Sequence, residues 1–352
     1  MVLKEFFVFC SAYCITFFLI PPLRLFALKK GILDLPNGAL KTHAAPTAYL
    51  GGVAVYFGVL PFLIVLAVFD ARFYFLLIGL TFLLILGLVD DVYEITPLQK
   101  FIGQLIAGIC FIQARLCFTL DILLQFFPSL TSYFSEQQIT FFAFAVTLFW
   151  IATVINAFNL IDIMDGLLAT LSICITVSWW VVVNALNREI SCESLLLIAF
   201  LGSMAAFFWY NKPKASIFMG DAGSLFVGGF LSIVPFMAYE WQASKNVQTL
   251  IFPLFIFSIP LMEVICLVII RTMKGIPFYY GSPHHFISYL KKRGWVSKKI
   301  LLFTGGLSLF FSAAGFFVAF FYKSKIMLLF SLPTILFLWG IFIFRKKQEL
   351  AF

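Results

Sequence analysis

Long apolar runs separated by short polar breaks dominate the chain. Helices that cross a bilayer need roughly 17–25 apolar residues. Eleven runs meet that need and predict spans at about 5–27, 50–68, 73–89, 101–119, 139–155, 166–184, 194–209, 222–239, 249–270, 299–321 and 326–344. An odd number of spans puts the two termini on opposite sides. No internal repeat, low-complexity tract or soluble domain interrupts the pattern. Residues 1–352 therefore read as a single integral membrane domain, an all-α polytopic protein with about 10–11 transmembrane helices. The first run, 6–20, lacks a small-residue cleavage site and meets Pro21-Pro22, so it is expected to stay as a span.

One break differs from the rest. Asn156, Asn159, Asp162 and Asp165 recur every third residue, with Gly166 directly after and uncharged runs on both sides. A spacing of three keeps them on one side of a helix. Polar groups at the edge of an apolar segment are expensive there and point to function. A capped helix start is the plainer reading, but two Asn and two Asp exceed what one cap needs.

Composition agrees with the pattern. The 352 residues are 62% hydrophobic and 11% charged, against about 25% charged in a soluble domain. Mean hydropathy is +1.05. The 47 Phe suit a lipid-facing surface. None of the seven Cys forms a Cys-x-x-Cys pair, so neither a disulfide framework nor a zinc site is expected. The net charge of +8 is not a nucleic-acid signal once its position is considered. The breaks 24–49, 90–100, 156–165, 210–221, 271–299 and the tail hold 17 Lys and Arg, and the opposite side holds 7. The positive-inside rule then makes the first set cytoplasmic, with the N-terminus outside and the C-terminus inside.

The same topology gathers the acids. Asp90, Asp91, Asp162, Asp165 and Asp221 all fall at cytoplasmic helix ends, from three separate breaks. Carboxylates gathered so closely repel unless something cationic sits among them. Mg²⁺, held by few carboxylates and by substrate phosphates, is the simplest candidate, with Mn²⁺ as its substitute.

Other motifs join this face. Asp90-Asp91 ends the third span; adjacent carboxylates point in different directions, so one can hold a metal while the other serves as a base. Lys100 is either an interface anchor or a phosphate contact. Asn211 precedes Phe218-Met219-Gly220-Asp221-Ala222-Gly223-Ser224. There the glycines allow close backbone approach, and the helix start offers N–H groups to an anion. His284 and His285 lie in the long basic break, and His43 lies in the other long one, before Leu50-Gly51-Gly52. Phosphate contact suits these His better than zinc, for which no full ligand set exists.

In this order the motifs resemble the polyprenyl-phosphate N-acetylhexosamine-1-phosphate transferases (glycosyltransferase 4 family), over nearly the whole chain from Asp34 to Trp295. The resemblance is strongest to the undecaprenyl-phosphate N-acetylglucosaminyl-1-phosphate branch. It implies transfer of a sugar-1-phosphate from a UDP-N-acetylhexosamine to a polyprenyl phosphate such as undecaprenyl phosphate, with release of UMP. That is the first membrane step of cell-envelope polysaccharide synthesis, in the inner membrane. By this likeness Asp90 is the base or orienter for the lipid phosphate, with Asp91 beside it. Asp221 is the Mg²⁺ ligand with Asn156. Asn159, Asp162 and Asp165 line the metal and nucleotide site. Asn211 and Phe218 form the uridine pocket, Lys100 meets phosphate, and His284 and His285 contact substrate. A homodimer is suggested by the same analogy. The chain departs from the pattern in two places: Ile163 follows Asp162 where many relatives have Gly, and the His motif is reduced. It also lacks the triple-His loop and Pro-Thr-Met-Gly-Gly stretch of the branch that uses UDP-MurNAc-pentapeptide, which is the alternative donor. The likeness favours direct attack, with a covalent aspartyl intermediate as the other route. A transporter is the reading from another class. Such folds show internal repeats with sites at the midplane, whereas here the acids cluster at one face and no repeat is seen.

Overall fold

A computed structural model describes residues 2–34, 46–186, 192–240, 252–277, 279–280 and 283–321. The chain is an all-α polytopic membrane protein, with one two-stranded sheet among the described residues. Helices α1 (Val2–Lys30), α2 (Gly51–Phe69), α3 (Arg72–Tyr93) and α4 (Pro97–Gln113) come first. A short α5 (Leu120–Phe126) leads to the long α6 (Glu136–Ile161), α7 (Leu167–Leu186), α8 (Cys192–Asn211) and α9 (Gly220–Glu240). The chain continues through α10 (Phe252–Ile256), α11 (Ser258–Met273), α12 (Phe286–Lys292) and α13 (Ser297–Phe321). Eight of the described helices are long and apolar enough to cross a membrane.

Two expected spans differ in detail. The fourth begins earlier, at Pro97, because Thr96 caps it: its hydroxyl accepts from Gln99 N–H, and the Gln99 carbonyl accepts from Thr96 N–H at 2.9 Å. The ninth is broken at Phe257 into α10 and α11. Pro260 has no N–H to offer the carbonyl one turn back, and its ring crowds that carbonyl. The eleventh span, 326–344, lies outside the described residues, as does His43.

Helix α9 is the hub. It is buried along its whole apolar length and packs against α2, α3, α6 and α7. Small residues permit this, as expected where helices associate within a membrane. A Cβ on Gly228 would meet the Ile155 backbone at 2.7 Å, and one on Gly229 would meet Leu83 at 2.2 Å. Trp150 of α6 donates its indole N–H to the Ser232 carbonyl at 2.8 Å.

The start of α2 is joined to the start of α9. Strand β1 (Leu33–Asp34) pairs antiparallel with β2 (Thr47–Ala48), and Ala48 also bridges in parallel to Ile217. Gly51 and Gly52 donate N–H groups to the Phe218 and Met219 carbonyls at 2.9 and 3.0 Å. A Cβ on Gly52 would meet Gly223 Cα at 2.0 Å, so only glycine allows this contact.

Candidate active site

Four helix ends meet at the N-terminus of α9. The C-terminal turn of α3 supplies Asp90 and Asp91, the first turn of α4 supplies Lys100, the end of α6 supplies Asn156 and Asn159, and α9 itself supplies Asp221. Lys100 Nζ lies 2.6 Å from Asp90 Oδ2 and 2.9 Å from Asp221 Oδ2. Asn159 donates to Asp221 Oδ1 and, at 2.9 Å, to Ser224 Oγ. The positive charge that the gathered acids require is therefore present as a lysine ammonium.

The adjacent aspartates have separate tasks. Asp90 accepts Ile95 N–H at 3.0 Å and faces Lys100. Asp91 turns the other way and accepts the N–H groups of Asp221 and Ala222 at 2.8 and 3.1 Å. The start of α9, expected from the sequence to receive a substrate anion, is thus capped by the protein's own carboxylate. Gly220, at φ +72°, makes the turn, and a Cβ there would strike Asp91.

Asn156 pairs with Gln104: its amide donates to Gln104 Oε1 at 2.7 Å and its carbonyl accepts from Gln104 Nε2 at 3.3 Å. The carboxamide that reaches Asp221 is Asn159. Asp162 follows the last residue of α6. Burial, then the charges of Asp221 and Asp91, push its carboxyl up to about 7. Asp165 accepts the Lys214 and Ala215 N–H groups, each at 3.1 Å. Asn211 accepts Gly166 N–H and donates to the Ile217 carbonyl, both at 2.9 Å. Asp165 and Asn211 therefore tie the break after α6 to the loop that leads into Phe218. The Phe218 ring is partly exposed, and its main chain bonds Ala48 and Gly51.

The histidines form a second cluster. Buried His285 meets Glu263 Oε1 through Nδ1 at 2.8 Å, and Phe286 N–H points at the same carboxylate at 3.4 Å. His284 Nε2 lies 2.6 Å from Lys274 Nζ. Burial, then Lys274 and Arg271, hold its ring below the usual histidine range. Both His bond these partners and not the aspartates.

Glu263, Gln104 and Tyr49 are not singled out by the sequence patterns, and Ser224 and Asp34 enter them without a role of their own. Tyr49 donates to Asp34 Oδ1 at 2.7 Å. Burial, Asp34 and then the fields of Asp91 and Asp221 hold its phenol well above the usual range. A lone acid inside the ninth apolar run was the available signal for Glu263.

Among the described residues no group of three His, Cys, Asp or Glu is arranged to hold a metal. The converging donors are two carboxylates and a carboxamide. Such an all-oxygen, incomplete set suits a hard divalent cation that takes its remaining ligands from phosphate and water. It does not suit zinc.

Residues 73–239, which include every site residue named above from Asp90 to Asp221, match the family model described as glycosyl transferase family 4. The chain is 30% identical over 268 residues to a probable undecaprenyl-phosphate N-acetylglucosaminyl 1-phosphate transferase of Bacillus subtilis, covering 75% of this chain and 71% of that one. The chain belongs to glycosyl transferase family 4. Within this family it is also 30% identical over 341 residues to a phospho-N-acetylmuramoyl-pentapeptide-transferase of Orientia tsutsugamushi, covering 86% of this chain and 90% of the relative. An undecaprenyl-phosphate alpha-N-acetylglucosaminyl 1-phosphate transferase of Yersinia pestis is 27% identical over 282 residues, covering 78% and 74%. The family model stops before Glu263, so the histidine cluster lies outside the matched stretch.

Proposed function

We propose that the protein transfers N-acetylglucosamine-1-phosphate, or a related N-acetylhexosamine-1-phosphate, from a UDP-sugar to undecaprenyl phosphate and releases UMP. The observation that carries this reading is the convergence of Asp90, Asp221 and Asn159 on one cation, the Lys100 ammonium, at the start of α9. The names of the Bacillus and Yersinia relatives support the donor and the lipid. An oxygen of the lipid phosphate attacks the β-phosphorus of the UDP-sugar. The bond from that phosphorus to the bridging oxygen breaks, and UMP leaves with the electron pair. Asp90 orients the attacking phosphate. Lys100 offsets the charge of the diphosphate. Asp221, with Asn159, would hold Mg²⁺, which would supply positive charge to offset that of the phosphate oxygens.

Asp91 fixes Asp221 through the backbone of α9. Asp165 and Asn211 fix the loop that presents the Phe218 ring to uracil. The excess of Lys and Arg on the breaks that carry the site supports a cytoplasmic face with the N-terminus outside, and the proposed reaction supports the inner membrane. The Orientia relative favours UDP-MurNAc-pentapeptide as a second donor; the reduced His pair favours the first. The test is UMP release by purified protein with undecaprenyl phosphate and a panel of UDP-sugars, in Mg²⁺ or in chelator. Lipid- and Mg²⁺-dependent UMP from UDP-N-acetylglucosamine is expected. Release only from the muramoyl-pentapeptide donor would move the protein to the other branch, and release from none would overturn the proposal.

A further inference from the structure

Asp90 and Asp221 need a positive charge beside them whether or not substrate is present. Lys100 Nζ supplies it, at 2.6 and 2.9 Å from one oxygen of each, with Asn159 Oδ1 at 3.5 Å. Of these, the Asp221 and Asn159 oxygens are the ones that a hard divalent cation would use. An ammonium already seated on them opposes a metal ion there, because two cations at that range repel. Asp91 offers no substitute ligand, since both of its oxygens hold the backbone of α9. Exchange of one cation for the other relieves that repulsion.

The structure also indicates what moves. The backbone at Lys100 is fixed by the Thr96–Gln99 capping box. The side chain is a flexible four-carbon stem carrying a compact charge, and 15% of it is exposed. We infer that Lys100 is a resident counter-ion of the cation-free protein, which yields its place to the divalent cation and turns its freed ammonium to the substrate phosphates. The inference rests on the proposed transferase reading. It adds that binding of the cation and presentation of the lysine are a single exchange.

The test uses the full chain in lipid nanodiscs, without sugar or lipid substrate, and Mn²⁺ as the probe. Bound Mn²⁺ is measured by electron paramagnetic resonance. Acetylation of Lys100 by acetic anhydride is followed in parallel by mass spectrometry, with exposed Lys291 as the internal reference. Lys100 is expected to label slowly without Mn²⁺. It should label about tenfold faster at saturation, which corresponds to about 1.4 kcal/mol of lost pairing, and the rise should follow the binding curve. Asp221→Asn, which leaves Lys100 paired with Asp90 alone and removes the metal ligand, should label somewhat faster without Mn²⁺ and should show no further rise with it. Bound Mn²⁺ with unchanged Lys100 labelling would overturn the exchange and leave the transferase reading standing. No bound Mn²⁺ at any concentration would overturn both the exchange and the metal assignment.

Discussion

The two carboxylate clusters of this protein are built on opposite plans. Around Glu263 a single acid is met by bases, with the buried Arg271 guanidinium close enough to act on it. One carboxylate, 1% exposed, meets His285 and the Phe286 N–H. Around Lys100 there is a surplus of acid. Asp90 and Asp221 share one ammonium, Asp162 adds its field, and the Asp221 side chain is 34% exposed. A matched, dry pair has nothing to gain by exchanging partners. A partly wet pair with too many carboxylates does. The first arrangement suits a clamp that holds α12 to α11, and the second suits a site that receives a cationic ligand.

That contrast breaks most directly when one acid is removed from each cluster. Asp221→Ala should lower UMP release by at least about a hundredfold, on the scale of losing a principal electrostatic group, with little change in the thermal melt. Glu263→Ala should do the reverse. It leaves His285 and the Phe286 N–H buried without their acceptor, at about 3 kcal/mol, and the melt in detergent should show it first. Turnover near wild type in Asp221→Ala would remove the metal assignment. An unchanged melt in Glu263→Ala would remove the clamp.

A smaller effect separates the adjacent aspartates. Asp91→Ala deletes the cap of α9 and should cost about 1–2 kcal/mol of stability. Turnover should fall only through displacement of Asp221, so Asp91→Asn should recover part of both. An Asp91→Ala protein that melts like wild type but has no activity would instead make Asp91 a direct participant.

The smallest effect is one of pH. Folded, Asp162 keeps its proton up to about pH 7, whereas unfolded it releases it near pH 4. The folded chain binds the extra proton between these values, so stability falls as pH rises through that window. In melts with chelator, Asp162→Asn should flatten this slope by about 1 kcal/mol after allowance for solvent screening. A wild-type profile already flat in that window would count against the buried carboxyl.

The apolar runs made most of the helices legible, because length and hydropathy decide them locally. The polar breaks made most of the site legible, because charges at helix ends are costly without a purpose. What the sequence withheld was pairing. Asp90 and Asp91 look equivalent until the start of α9 is seen against one of them. Asn156 and Asn159 look interchangeable until Gln104 takes the first. Lys100 looks like an interface anchor until α4 begins at Pro97 and turns it inward. Each of these depends on a partner more than fifty residues away, which local periodicity does not encode.

The seam between Gly52 and Gly223, backbone against backbone, limits how this chain can be recombined with a relative. Residues 50–52 and 217–224 are one mould in two pieces. A hybrid whose other parent carries any residue but glycine at position 52 or 223 would force a side chain into the space between α2 and α9, moving Asp221 away from Asp90. Crossover points for such chimaeras belong outside both segments, and the two must be inherited together.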